Sequence, residues 1–468
     1  MKATAVGMLS YLTRSAYLSL KGYVVNRVKL GREFFSVLDG LERSQWLSEG
    51  GFRDLQNEKL RKLVQHAYAN VPYYHRLFDS LHLRPEEIRT VDDLPKIPVL
   101  SKEELRANHD GLIARNISRH RLASGWTTGS TGTPINALRT MDSIIFEHAT
   151  IWRQRRWAGT DVYDRKAAVW GTIWDDVIIP SASKRVPPYW RYNAADRQML
   201  FSYYHMTDET LALYVDALEK FRPTFIEGFP STLLILAQHL KQHDRLLPLR
   251  AVFTSSEPLY AVHREEIERR FETKIFDHYG QAERVAYATE CEHHRGLHIN
   301  PEYGIVEILK DGEPVAPGDT GEIVGTGLNN AAMPLLRYKT GDLASLGKGE
   351  CACGRKMPLL QAVEGRLADS IITGDGIMIP GNGIMGAFHG IDNIKASQVV
   401  QEDPDHVIIR IVKEDLAKEV NLPALRRNLE SCLGRRIHLE FQTVESLNLD
   451  GFAKRPWVVS KVSRDRLK

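Results

Sequence analysis

The sequence predicts an α/β protein with a large multi-layer N-terminal α/β domain and a smaller C-terminal α+β lid domain. At 468 residues the chain is too long for one ordinary hydrophobic core. Hydrophobic residues make up 43% of it and charged residues 26%, which is the composition of a globular protein. Beyond Ser124, short apolar runs alternate with amphipathic helices, a pattern typical of α/β units with buried strands.

The individual elements follow from the spacing of apolar residues. Residues 1–115 predict mainly helix, because apolar positions between 53 and 71 recur at steps of three and four. Four apolar runs predict buried strands at 167–170, 224–228, 251–254 and 274–277. Amphipathic segments between and after them predict helices at 208–221 and 262–271.

The C-terminal part of the sequence predicts a hairpin followed by a small unit. Residues 306–308 run into Asp311-Gly312, a tight-turn dipeptide, and 321–325 return as a strand. In the tail, strands at 406–412 and 437–441 flank a helix at 422–433. We therefore predict a large domain over 1–365 and a small one over 366–468.

Charge and cysteine content exclude several classes of protein. Lys and Arg number 62 against 59 Asp and Glu, a net charge of +3, which does not support a nucleic-acid binder. Four cysteines are too few for a disulfide scaffold, so we expect the reducing cytoplasm. No run of about twenty apolar residues predicts a transmembrane segment. The opening segment, 1–25, predicts a helix that either packs on its own domain or lies on a membrane surface.

A run rich in glycine and hydroxyl groups predicts a phosphate-binding loop. Its glycines let the backbone curl round an anion, and its hydroxyls can donate to phosphate oxygens. The run is neither a Walker A loop nor a dinucleotide fingerprint, and an ordinary surface turn is the alternative. The residues concerned are Thr127, Thr128, Gly129, Ser130, Thr131, Gly132 and Thr133.

Five motifs in order resemble the adenylate-forming, acyl-CoA synthetase-like superfamily, and the resemblance covers residues 55 to 468. Within that superfamily the chain is most similar to phenylacetate-CoA ligases and CapK-type capsular polysaccharide proteins. The resemblance implies a large ATP- and acyl-binding domain with a smaller lid. The motifs are the hydroxyl loop, Tyr279-Gly280-Gln281-Ala282-Glu283, Arg337-Tyr338-Lys339-Thr340-Gly341-Asp342, Gly365-Arg366-Leu367-Ala368-Asp369 and Lys454.

This resemblance implies that ATP activates a carboxylic acid as an acyl-adenylate, with release of pyrophosphate. By the same resemblance the hydroxyl loop would hold the β and γ phosphates and Glu283 would bind Mg²⁺. Positioning and charge neutralisation supply most of the catalysis in such a reaction. The acyl group would then pass to a thiol, such as that of CoA, or to an amine.

The remaining motif residues receive nucleotide-binding or catalytic roles from the resemblance. Tyr279, with Gly280, would lie against adenine, and Asp342 would accept the ribose hydroxyls. Lys454 would reach the carboxylate and the α-phosphate. The other residues assigned to this site are Glu257 and Arg366 for the nucleotide and Arg337 for catalysis.

Alternatives and departures from the family pattern remain open. Tyr279 is also compatible with a core tyrosine, Asp342 with a turn aspartate and Glu283 with a solvated glutamate, while salt bridges would explain Arg337 and Arg366. Ala368 and Ala453 replace residues expected at the hinge and before the lysine. These departures leave open a catalytically impaired scaffold that acts as a binding or partner protein. Asn136 stands where many relatives carry a lysine.

Three cysteines and a histidine predict a structural zinc site. Cys351 and Cys353 lie one residue apart, and Cys291 and His298 would complete a closed tetrahedral set. Some phenylacetate-CoA ligase relatives resemble this arrangement. Buried cysteines without metal are the alternative, and His293 and His294 are rival ligands. Tryptophans in the acyl-binding half would suit an aryl or other flat acid. A homodimer is left open.

Overall fold

The large part of the chain is organised round one mixed sheet. The computed structural model describes residues 5–126, 135–170, 187–257, 259, 261–364, 370–373, 378–380, 384, 386–388, 390–413, 415–434, 437–445, 447 and 458–462. Within these residues, thirteen strands form one sheet in the order β12-β11-β13-β14-β15-β10-β9-β8-β7-β6-β3-β5-β4.

The strand bounds are: β1 Ala123–Trp126, β2 Asn136–Arg139, β3 Lys166–Trp170, β4 Trp190–Asn193, β5 Gln198–Ser202, β6 Phe225–Gly228, β7 Ala251–Ser255, β8 Ile275–Gly280, β9 Tyr287–Glu290, β10 Leu297–Ile299, β11 Gly304–Lys310, β12 Glu313–Pro314, β13 Thr320–Gly327, β14 Tyr338–Leu346, β15 Leu359–Glu364, β16 Ser370–Ile372, β17 Met378–Pro380, β18 Ile394–Asp403, β19 His406–Lys413, β20 His438–Thr443 and β21 Val458–Ser460. The α-helices are: α1 Ala5–Lys29, α2 Arg32–Ser44, α3 Glu49–Asn70, α4 Pro72–Ser80, α5 Lys102–Ala107, α6 Met141–Trp157, α7 Asp208–Phe221, α8 Pro230–Gln242, α9 Ala261–Phe271 and α10 Leu422–Leu433.

Strand direction divides the large sheet into two parts. β5, β3, β6, β7 and β8 are parallel neighbours, with α7, α8 and α9 in the connections between them. From β8 onward the pairings are antiparallel, starting with β8 and β9. The carboxyl ends of the parallel strands therefore lie along one edge of the sheet, beside the place where the direction changes.

Helices cover both faces of the parallel strands. Phe225 and Phe253 point into a core with α2 and α6, whereas the intervening Ile226 and Val252 point into a core with α7, α8 and α9. Successive side chains of a strand face opposite sides of the sheet, so this alternation produces three layers. A buried ion pair joins Arg153 of α6 to Glu302 at 2.8 Å, and Arg153 also donates to the Leu41 carbonyl of α2 at 3.0 Å.

The C-terminal residues form their own small core. The four strands β20-β19-β18-β21 make a second sheet, and α10 packs on it through Leu425, Leu429 and Leu433. The parallel pairing of β19 with β20 spans the segment that contains α10. This is the α+β unit that the sequence predicts for the tail, while the boundary at residue 365 stays a prediction because 365–369 lie outside the described residues.

Candidate functional site

The predicted nucleotide residues follow the ends of parallel strands. Gly228 pairs in register with Thr254, and Ser255 with His278, so these strands end at the same level. Glu257 comes shortly after β7, behind Ser256 in a left-handed backbone conformation with φ of +70°. Tyr279 and Gly280 form the end of β8. Tyr279, Gly280 and Glu257 therefore share one edge of the sheet.

A hydrogen bond joins Tyr279 to Asp342, two residues that lie 63 positions apart. The Tyr279 hydroxyl donates to Oδ2 of Asp342 at 2.8 Å. Burial and the nearby carboxylate raise the pKa of Tyr279 well above its ordinary value, so the hydroxyl stays protonated and remains a donor. The backbone of Asp342 is also held in place, because its backbone N–H donates to Oγ1 of Thr340 at 3.1 Å.

A second tyrosine positions Glu283. The Tyr338 hydroxyl donates to Oε1 of Glu283 at 2.8 Å, and both side chains are buried. Within the described part of the chain, no hydrogen bond is made to the other carboxylate oxygen, which therefore remains able to bind a cation. Tyr338 and Asp342 both belong to β14, so two hydrogen bonds hold the segment 279–283 against that strand.

The hairpin that carries the hydroxyl loop contacts the same segment. β1 and β2 pair from Ala123 with Arg139 to Trp126 with Asn136, so residues 127–135 connect them. Arg139 donates to the carbonyl of Ala282 at 2.6 Å. A Cβ at Gly125 would lie 2.0 Å from Cζ of Arg139, so a larger residue at position 125 would displace this guanidinium. The base of the loop thus lies beside Glu283.

Asn136 closes the base of this hairpin. Its side chain accepts from the Gly125 N–H at 3.2 Å and donates to Ser124 Oγ at 3.2 Å. His109 Nε2 lies 2.7 Å from the Asn136 carbonyl oxygen. The asparagine thus has a local structural role at a position where many relatives in the family carry a lysine.

The four predicted zinc ligands come together. The Cys291 and Cys351 sulfurs are 3.6 Å apart, Cys353 Sγ is 3.4 Å from His298 Nε2, and all four donor atoms lie within 4.8 Å of one another. Sulfur ligands placed about 2.3 Å from one tetrahedral zinc are about 3.8 Å apart. The spacing therefore fits a closed zinc site.

The protonation chemistry of this cluster also fits a metal. Burial lowers the pKa of the His298 imidazole to about 4, which keeps the ring neutral and able to ligate. Burial raises the pKa of the Cys291 thiol, so its thiolate needs a cation nearby. Of the rival ligands, His294 instead faces Glu290 at 3.6 Å, and neither it nor His293 belongs to the cluster.

Comparisons with known proteins identify the family. A family model described as AMP-binding enzyme matches residues 189–333, and one described as CapK C-terminal domain matches 371–461. Protein CapK of Staphylococcus aureus is 24% identical over 456 residues, covering 95% of this chain and 96% of that protein. The chain belongs to the adenylate-forming superfamily.

Other relatives place this adenylate-forming protein in the branch that contains CapK and the phenylacetate-CoA ligases. The phenylacetate-coenzyme A ligase of Thermus thermophilus is 29% identical over 332 residues, covering 68% of this chain and 71% of that enzyme. The solved structure of 2-hydroxyisobutyryl-CoA ligase with 2-HIB-AMP and CoA shares the fold. Its TM-score is 0.61, with 20% identity over 90% of this chain and 91% of that one.

Several predicted residues of the adenylate-forming site cannot be placed. The hydroxyl loop from Thr127 to Thr133, Arg366 and Lys454 lie outside the described residues, so their roles stay predictions. Two side chains that the sequence did not single out, Tyr338 and Arg139, contact the site. Tyr338 lies inside a recognised motif, but no local pattern distinguishes Arg139 from other arginines. Among the helices of the described residues, none is long and apolar enough to cross a bilayer.

The contacts of Arg337 in this adenylate-forming fold are those of a structural residue. Its guanidinium is buried and forms two hydrogen bonds to the Glu307 carboxylate, at 3.0 and 2.9 Å, and a third to the Ile97 carbonyl at 2.8 Å. The backbone at Arg337 is left-handed, with φ of +49°. These contacts fit the salt-bridge explanation of Arg337, except that the salt bridge is buried. The catalytic role of Arg337 stays a prediction.

We expect Arg337→Lys to lower the free energy of unfolding by about 1.5–3 kcal/mol, because an ammonium cannot reproduce the forked pair with Glu307. Denaturant unfolding measures this. The neighbouring Lys339→Met is the control: Lys339 pairs with Glu322 at 3.0 Å but is half exposed, so the loss should stay below about 1 kcal/mol. An Arg337→Lys protein of unchanged stability but lost activity would favour the catalytic assignment instead.

Proposed function

We propose that this chain is an AMP-forming ligase that adenylates a carboxylic acid with ATP and transfers the acyl group to the thiol of CoA. The observation that carries the proposal is the convergence of Tyr279, Glu283 and Asp342, which the two tyrosine–carboxylate bonds hold together. The phenylacetate-CoA ligases among the relatives support the reaction class and the CoA acceptor.

In this mechanism the protein positions the nucleotide before the chemistry begins. The Tyr279 ring lies against adenine, while its hydroxyl keeps the Asp342 carboxylate oriented to accept both ribose hydroxyls. The substrate carboxylate then attacks the α-phosphate, and the hydroxyl loop binds the β and γ phosphates that leave as pyrophosphate. Lys454 neutralises the negative charge that moves between the carboxylate and the α-phosphate.

Glu283 would hold Mg²⁺ through the carboxylate oxygen that Tyr338 leaves available. A hard cation of this kind supplies neutralisation of phosphate charge when bound. Arg139 contributes positive charge at the same place, because its guanidinium contacts the carbonyl of Ala282, next to Glu283.

The acid is most simply an aryl or other flat one. Trp170 ends β3 and packs edge-on against Phe229, which follows β6, with ring centroids 4.6 Å apart. Tyr203, after β5, lies 6.3 Å from the same phenylalanine. These aromatic rings lie along the strand-end edge that carries Tyr279, and they offer flat apolar surface to an acyl group. Similarity to CapK supports a product used in surface-polysaccharide assembly, in the cytoplasm.

We expect Asp342→Asn to weaken ATP binding about 10–100-fold, because neutral Asn replaces charge-assisted bonds to the ribose. Titration calorimetry with ATP and Mg²⁺ measures this. Asp319→Asn, at an exposed turn of the same antiparallel region, is the control and should bind ATP normally. Equal ATP affinity in both variants would remove Asp342 from the site.

Lys454→Ala should abolish pyrophosphate exchange into ATP while leaving ATP affinity largely unchanged, because the lysine acts on charge that develops in the transition state. The assay uses a panel of aryl and 2-hydroxy acids, with Lys461→Ala as a control from the same terminal segment. Exchange that persists in Lys454→Ala would show that Lys454 is misassigned. Intact ATP binding with no exchange for any acid would favour the impaired scaffold that Ala368 and Ala453 suggest.

We also propose that Cys291, His298, Cys351 and Cys353 bind a structural zinc ion. A closed four-ligand site leaves no position for water, so the ion would stabilise the fold without taking part in the reaction. It would join the β9–β10 turn to the loop before β15, which both lie next to Trp157 of α6.

Elemental analysis should give about one zinc per chain, as a closed structural site implies. Cys353→Ser should lose most of the zinc and unfold at a lower temperature. Cys432→Ser is the matched control, because Cys432 belongs to the core of the C-terminal unit and lies outside the ligand cluster. A folded protein that purifies without metal at unchanged thermal stability would contradict the proposal.

A further inference from the structure

The N-terminal helix α1 exposes an apolar face. Seven large apolar side chains along it are between 47% and 67% exposed: Leu9, Leu12, Tyr17, Leu20, Tyr23, Val24 and Val28. In a helix attached to a globular domain, the apolar face normally points inward. A continuous exposed apolar surface of this kind marks a site of interaction.

The face of α1 that contacts the protein makes several polar contacts. Ser15 Oγ accepts from the Tyr192 N–H at 3.2 Å, and Ser19 Oγ accepts from the Ala194 N–H at 2.9 Å. Farther along, Asn26 donates to Asp196 at 2.8 Å. β4 is the edge strand of the large sheet, so its outward N–H groups need acceptors. The hydroxyls of α1 provide them.

Close packing fixes the orientation of the helix about its own axis. A Cβ at Gly22 would lie 2.8 Å from Cβ of Ala195, so the backbone of α1 approaches the turn after β4 very closely. On the same side, Leu18 is buried with Ala168 and Leu200. These contacts prevent rotation of the helix, so the apolar face stays directed away from the domain.

The charges of α1 have one sign. The helix contains Arg14, Lys21, Arg27 and Lys29 and no acidic residue. Arg27 and Lys29 lie in the last turn, where they also complement the helix dipole. Arg14 and Lys21 lie in the middle of the helix and add to the same positive charge. Cations beside exposed apolar and tyrosine side chains match the chemistry of an anionic lipid surface.

We propose that α1 seats this protein on the surface of a membrane that contains anionic lipids. The apolar face enters the boundary between headgroups and acyl chains, and Arg27 and Lys29 attract the lipid phosphates. At 25 residues the helix is about 37 Å long, and its exposed apolar side chains run from Leu9 to Val28, so it lies along the membrane surface. A second copy of the chain is a less suitable occupant, because two such helices would bring only positive charges together.

Vesicle flotation of the full-length protein tests the proposal. We expect the protein to float with vesicles of phosphatidylcholine and phosphatidylglycerol, and to bind pure phosphatidylcholine vesicles at least about tenfold more weakly. Leu20→Glu with Val24→Glu should abolish binding. The control is Leu416→Glu with Leu246→Glu, which adds the same charge at exposed leucines away from α1 and should float normally.

A second variant tests the charges separately. Arg27→Gln with Lys29→Gln should weaken binding to the anionic vesicles by about 10–30-fold, with little effect on thermal stability. Failure of the unaltered protein to bind anionic vesicles overturns the proposal, as does equal loss of binding in the Leu416 and Leu246 control. The apolar face would instead belong to a second copy of the chain if three results held together: light scattering shows a dimer, Leu20→Glu with Val24→Glu makes it a monomer, and the unaltered protein binds no vesicles.

Discussion

Two hydrogen bonds from tyrosines to carboxylates hold the candidate site together. Tyr279 donates to Asp342 and Tyr338 donates to Glu283, so each side of the site supplies one donor and one acceptor. Because Tyr338 is buried and Tyr279 is partly buried, the geometry of the carboxylates is set before any ligand arrives, which is the preorganisation that charge stabilisation requires.

Sequence periodicity located the helices and parallel strands well, because their signals are local. The predicted helices 208–221 and 422–433 coincide with α7 and α10, and the four predicted buried strands fall within or beside β3, β6, β7 and β8. The continuity of the thirteen-stranded sheet was not predicted. β10 pairs with β15 although the four strands β11 to β14 lie between them in the chain, and no local pattern in a sequence specifies a partner so far along the chain.

The sequence predicted the ligand-binding side chains of the site but not the residues that position them, because positioning depends on distant contacts. The family resemblance named Glu283 and Asp342, whereas residue type and spacing named the zinc ligands, because thiolates and imidazoles are the usual ligands of structural zinc. Their positioning partners were missed: a buried tyrosine or arginine is ordinarily a packing residue, and only the fold shows that Tyr338 and Arg139 contact the site. For Arg337 the difference runs the other way. The motif suggested a catalytic role, but in the fold its side chain contacts Glu307 and the Ile97 carbonyl.

The N-terminal helix contacts the same strands as the aromatic residues that we propose for the acyl group. Leu18 of α1 is buried against Ala168 of β3 and Leu200 of β5, and Trp170, at the end of β3, packs beside them. Trp170 is also the ring that contacts Phe229 after β6. A helix seated on lipid would therefore lie next to the strands that end at the acyl-binding edge. An enzyme that receives or delivers an apolar acyl group at a membrane surface needs that arrangement, because a short path keeps the group out of water.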